Sequence, residues 1–179
     1  MQPRYMDIRA EEFQPTLVKL VRNDKHGLNE RRCGDCVICC TVFGVKELNK
    51  PMGVKCEHVC STGCGIHPNW PIECREFECL WRSGVVGAED QHPNKLGIML
   101  TTWTDIQLGL FFCVHEVIEG ALQRSDVNIL LNELASSMFL YVFSCDGDDC
   151  KTIMGPRHKQ QYAKNFFTKR DFNPKEIVV

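Results

Sequence analysis

Of the twelve cysteines in this 179-residue chain, nine lie between residues 33 and 79. Four of them crowd the stretch "CGDCVICC", where Cys39 and Cys40 are adjacent. Gly34, Gly44, Gly53, Gly63, Gly65, Pro51, Pro68 and Pro71 interrupt the same region. Its apolar side chains follow no regular period, so it cannot bury a core of its own. Something other than packing must hold it. Disulfides, a metal site and a redox centre are the candidates.

Compartment narrows the choice. The opening "MQPRYMDIRAEEFQPTLVKL" carries acids early and has no apolar run of signal-peptide length. No run in the chain reaches the ~18 apolar residues of a membrane span. These features lead us to expect a cytoplasmic protein with no membrane partner. In a reducing cytosol, clustered cysteines point to metal ligands rather than disulfides. The composition, 44% apolar and 25% charged with a net charge of −2, is that of an ordinary globular protein.

The chemistry follows from the spacing. Two thiolates spaced C-x-x-C can reach one ion from a tight turn. Zinc takes four such ligands at ~2.3 Å, and iron–sulfur clusters also take four cysteines. Cys33, Cys36 and Cys39 follow this spacing, and Cys56, Cys60, Cys64, Cys74 and Cys79 come after. In an extended chain Cys39 and Cys40 would point to opposite sides, which predicts that they do not share an ion. His58 is either a ligand or a hydrogen-bond partner that orients a thiolate. His67, before Pro68, reads as a turn residue, and Cys60 as an extra thiol or a replacement ligand.

Three segments make up the layout. Residues 1–32 begin with an amphipathic stretch in which Phe13, Leu17, Leu20 and Val21 have helical spacing. Residues 33–95 form the cysteine segment. Residues 96–179 read as a small β-β-α-β-β unit. "LGIML", "LGLFFCVHEV", "MFLYVFSC" and "KTIM" are its strands. "SDVNILLNELASS" is its helix, with Ser125 as N-cap and Ile129, Leu130, Leu131 and Leu134 on its apolar face. "DGDD" is a turn flanked by Cys145 and Cys150. The expected fold class is α+β, a loop-rich cysteine segment packed on this unit. Cys113 reads as a buried inert thiol. His115 lies on the same side of its strand, and Glu116 and Glu119 read as a solvated strand end. The tail from Arg157 to Lys175 mixes six Lys/Arg with Tyr162, Phe166, Phe167 and Phe172. We read it as a short helix docked on the core. The overall charge weighs against nucleic acid.

"CGDCVICC", "KPMGVKCEHV", "GCGIH" and "PIECREFECLW" occur in that order over residues 33–81. Together they resemble the YkgJ-type cysteine-cluster family, a zinc- or iron-chelating domain with a C-x-x-C-x-x-C-C run. The resemblance implies metal ligation by Cys33, Cys36, Cys39, Cys40, Cys56, Cys64, Cys74 and Cys79, and it implies no defined reaction. Trp70 stands where the family usually has arginine, and His67 where tyrosine is common. A related segment occurs in flagellin lysine N-methylases, but no glycine-rich nucleotide loop follows a strand here. The functional expectation is a protein that holds zinc or an iron–sulfur cluster through these cysteines. The competing expectation is an iron–sulfur oxidoreductase or an accessory protein to a redox enzyme.

Overall fold

The computed structural model describes residues 31–86, 88, 90–105, 109–144, 151–156 and 176–178. The expectations for the N-terminal amphipathic stretch, the "DGDD" turn with Cys145 and Cys150, and the tail from 157 to 175 lie outside these residues.

The fold is α+β. A five-stranded sheet places its strands side by side in chain order. Its strands are β3 (Ile98–Asp105), β4 (Gly109–Glu116), β5 (Leu140–Phe143), β6 (Lys151–Met154) and β7 (Glu176–Val178). β3–β4 and β5–β6 are antiparallel pairs, whereas β4–β5 and β6–β7 are parallel. The parallel β4–β5 pairing requires a crossover. Helix α4 (Ser125–Ala135) provides it.

Strand alternation sorts the side chains onto two faces. One face carries Ile98, Leu100, Phe112, Val114, Leu140, Val142 and Met154. These pack with Val127, Leu130 and Leu131 of α4 and with Leu80 and Val86 from the end of the cysteine segment. The other face carries Phe111, Cys113, Tyr141 and Ile153, which cluster with Phe139.

Two details of α4 differ from expectation. Arg124, not Ser125, occupies the N-cap, and no side chain caps the helix. Instead the Arg124 guanidinium grips the Asp126 carboxylate, whose Oδ1 also accepts from the Val127 N–H. Ile129 is 69% exposed rather than part of the apolar face. Glu116 is also a correction. It is buried, and its Oε1 accepts from the Leu122 N–H at 3.0 Å, so it anchors the 3₁₀ turn Ala121–Gln123 instead of facing solvent.

Ahead of the sheet, α3 (Pro93–Leu96) ends at Gly97, whose φ of 73° is left-handed. A Cβ at Gly97 would stand 2.9 Å from the Cβ atoms of both Ala121 and Ile118. Gly97→Ala therefore combines backbone strain with a clash. It is expected to lower stability by ~1–3 kcal/mol, measured by chemical denaturation.

A candidate metal centre

The cysteine segment is short turns held together by backbone hydrogen bonds. Cys36 N–H donates to the Cys33 carbonyl at 2.9 Å, closing the first C-x-x-C turn. Helix α1 (Cys39–Val42) follows as one turn, closed by Phe43 N–H donating to the Cys39 carbonyl at 3.1 Å. Residues 45–50 form a tight loop in which Val45 and Lys50 exchange N–H···O bonds at 2.9 and 3.0 Å. Cys56 N–H then donates to the Cys40 carbonyl at 3.0 Å, which ties the second motif to the first. Strands β1 (Val59–Cys60) and β2 (Gly63–Cys64) form a small hairpin. Helix α2 (Ile72–Glu76) carries Cys74. Beyond it, Leu80 N–H donates to the Leu100 carbonyl at 2.9 Å, at the outer edge of β3.

An apolar cluster supports part of the segment. Ile38, Val42 and Met99 are buried together, and Cys36, Cys39, Phe43, Phe77, Cys79 and Val117 pack against them. The Phe43 and Phe77 rings lie 4.4 Å apart.

All ten described cysteines are free thiols. Eight of them interact electrostatically with others of the set. Cys36 feels Cys33 and Cys79, and Cys39 feels Cys36 and Cys33. Cys74 feels Cys40, Cys56 and Cys64. The thiols of 33–40 are thus neighbours of those in 56–79. Among the described residues, however, no three His, Cys, Asp or Glu side chains stand in metal-holding geometry. The donors are gathered but not closed on a point. Their chemistry, reduced sulfur in sets large enough for four-coordination, suits zinc or iron–sulfur.

Burial pushes the thiols up: Cys36 rises to about 11, and Cys33, Cys74 and Cys79 rise as well. Cys39 and Cys40 are hydrogen-bonded to each other, which raises Cys39 and lowers Cys40, with Lys50 adding to the second effect. The expectation of an extended chain at this pair is therefore corrected. The backbone is helical over Cys39–Val42.

Two cations that the sequence reading did not single out stand beside the thiols. Lys50 is only 9% exposed, and its Nζ donates to the carbonyls of Phe43 and Pro51. Burial lowers its pKa, opposed by Cys56, Cys40, Cys39 and Cys74. Arg82 places Nη1 3.9 Å from the Cys33 sulfur and Nη2 3.9 Å from Glu78 Oε1. The signal for Lys50 was present in "KPMGVKC", where it sits six residues before Cys56. Nothing in the sequence marked Arg82.

Cys60 is exposed and lies 3.4 Å from the Thr62 hydroxyl. His58 Nε2 lies 3.6 Å from Glu57 Oε1. The His67 ring lies 4.5 Å from that of Trp70, in a turn where Asn69 N–H donates to the Ile66 carbonyl. Cys113 is buried, and burial raises its thiol well above the ordinary value. Glu119 is exposed.

His115 is buried on the same sheet face as Cys113, stacked on Phe143 at 4.9 Å and 3.4 Å from the Thr101 hydroxyl. Desolvation lowers its pKa to about 4 from 6.5. Above pH 6.5 the imidazole is neutral in folded and unfolded chains alike. Between 6.5 and 4 the unfolded chain binds a proton that the folded chain refuses, so stability falls as pH falls. This one group should cost ~3 kcal/mol across that window. Denaturation of wild type and His115→Leu at several pH values should show the difference in slope.

Among the described residues, no helix is long and apolar enough to cross a membrane. Comparison of the chain with protein-family models, with curated proteins and with solved structures finds no match.

Proposed function

We propose that this is a metal-binding protein that holds zinc or an iron–sulfur cluster through the cysteines of residues 33–79. The observation that carries the proposal is the neighbourhood of eight free thiols drawn from four separate motifs. The same motifs, in the same order, carry the resemblance to the YkgJ-type family. Thiols raised by burial are poor ligands until they lose their protons. A bound cation would reverse this by stabilising the thiolates, and metal uptake would release protons. Coordination would then supply the cohesion that the segment's packing lacks. The reading also places the chain in the cytoplasm, where thiols stay reduced.

Metal removal tests it. Treating the purified full-length protein with a strong chelator under reducing conditions should lower its melting temperature and expose residues 33–86 to hydrogen exchange. The sheet amides of Leu100, Val114 and Val142 should lose less protection. Identical melting and exchange before and after chelation would contradict the proposal.

A further inference from the structure

The cysteine segment meets itself at its base through two arginines, one from each end. Arg31 stands two residues before Cys33, and Arg82 three residues after Cys79. Arg31 Nη1 donates to the Trp81 carbonyl at 2.8 Å and to the Val86 carbonyl at 3.4 Å. Its guanidinium carbon lies 5.3 Å from the centroid of the Trp81 ring. That ring is buried, meets the His92 ring edge-on at 4.4 Å, and donates its indole N–H to the Ala88 carbonyl at 3.1 Å. Arg82 reaches the other way, with Nη1 3.9 Å from the Cys33 sulfur. The two contacts join residues 50 and 49 positions apart in the chain. Leu80 N–H, donating to the Leu100 carbonyl, ties the same base to β3. None of these contacts requires a metal ion.

We infer that Arg31 and Arg82 clasp the cysteine segment into a closed loop before metal binds, and that Arg31, acting through two carbonyls and an aromatic ring, is a positioning residue for metal uptake. The role in uptake rests on the metal-binding reading above, whereas the clasp stands without it. An open segment would have to bring its ends together when the ion arrives, and that ordering opposes binding. Contacts that close the loop beforehand leave less chain for the ion to order. Arginine suits the position because its planar fork can donate to carbonyls while it lies against an indole. A lysine there would keep the charge but not the fork. Arg82 is held toward Cys33 by Glu78 on its other side, so the second contact is also aimed.

The test has two readouts on the reduced full-length chain, kept anaerobic. The first is hydrogen exchange without metal. The N–H groups of Ser83, Gly84, Val85 and Val86 donate to carbonyls of residues 79–81 at the base. Arg31→Met should speed their exchange by ~10-fold or more and leave the sheet amides of Val114 and Val142 unchanged. The second is a Co²⁺ titration followed by thiolate-to-cobalt absorption. Arg31→Met keeps every sulfur, yet it should weaken Co²⁺ binding by ~10-fold or more, and Arg31→Lys by less. Gly97→Ala destabilises the chain away from the clasp and should leave Co²⁺ affinity unchanged. Unaltered exchange at 83–86 in Arg31→Met would overturn the clasp while leaving metal binding intact. Faster exchange with unaltered Co²⁺ affinity, or equal weakening in Gly97→Ala, would overturn the positioning role. No thiolate-to-cobalt band in wild type would overturn the metal-binding reading and the positioning role together, with the clasp still decided by exchange.

Discussion

Cys74→Ser is expected to lose metal and structure together. Cys74 sits on α2, a single short helix with no buried residue of its own and no side-chain cap. Its thiol is a neighbour of Cys40, Cys56 and Cys64, three sulfurs from the three other motifs. Coordination there would close chain loops whose ordering no apolar cluster supports, and loops closed by metal gain most against chain entropy. A serine hydroxyl is too weak a ligand to hold the ion in place. The same holds for Cys36→Ser, although Cys36 has apolar neighbours that retain some local order. Cys113→Ala is the control. Cys113 is 3% exposed within the sheet, and trimming it should cost only ~1 kcal/mol with metal content unchanged. Metal content and melting temperature, measured side by side on the three variants, check the pattern. Full metal content with unchanged melting in Cys74→Ser would show that this position is not a ligand.

The second large effect lies in the sheet. Leu140 has no exposed surface. It pairs with Phe112 across the parallel β4–β5 ladder and with Met154 across β5–β6, on the face covered by α4. Leu140→Ala removes buried atoms from a site walled on both sides, so the neighbours collapse only partly into the space. The expected loss is ~3 kcal/mol in chemical denaturation. Ile129→Ala, on the exposed side of the same α4, should change stability by less than ~0.5 kcal/mol. Similar losses for the two variants would mean that the buried side of the helix is wrongly assigned.

The contrast between these two residues shows what the sequence could and could not convey. The strands were legible because "LFFCVHEV" and "LYVF" are short runs rich in aliphatic and aromatic residues. The face of α4 was less legible, because four apolar residues in "ILLNEL" do not define one stripe. At about 100° per residue, Val127, Leu130, Leu131 and Leu134 share a face, while Ile129 lies about 200° from Val127. β7 was missed because "EIV" is three residues at the end of a charged tail. The Cys39–Cys40 pair was misjudged for a different reason. "CCTV" has no helical signal over so short a run, and its turn is set by the Cys39 and Phe43 backbone bond and by Val42 packing on Met99. The cysteines themselves were legible from spacing and order. The cations beside them were not, since Lys50 and Arg82 reach the thiols only after the chain has turned back on itself.

Metal analysis of the full-length protein, purified anaerobically and read together with its absorption spectrum, tests the central claim most directly. The account predicts zinc or iron in stoichiometric amount. A colourless zinc protein would mean a coordination-held binding module, and a brown protein that bleaches on reduction would mean a redox-active cluster. Neither zinc nor iron above trace would contradict the account.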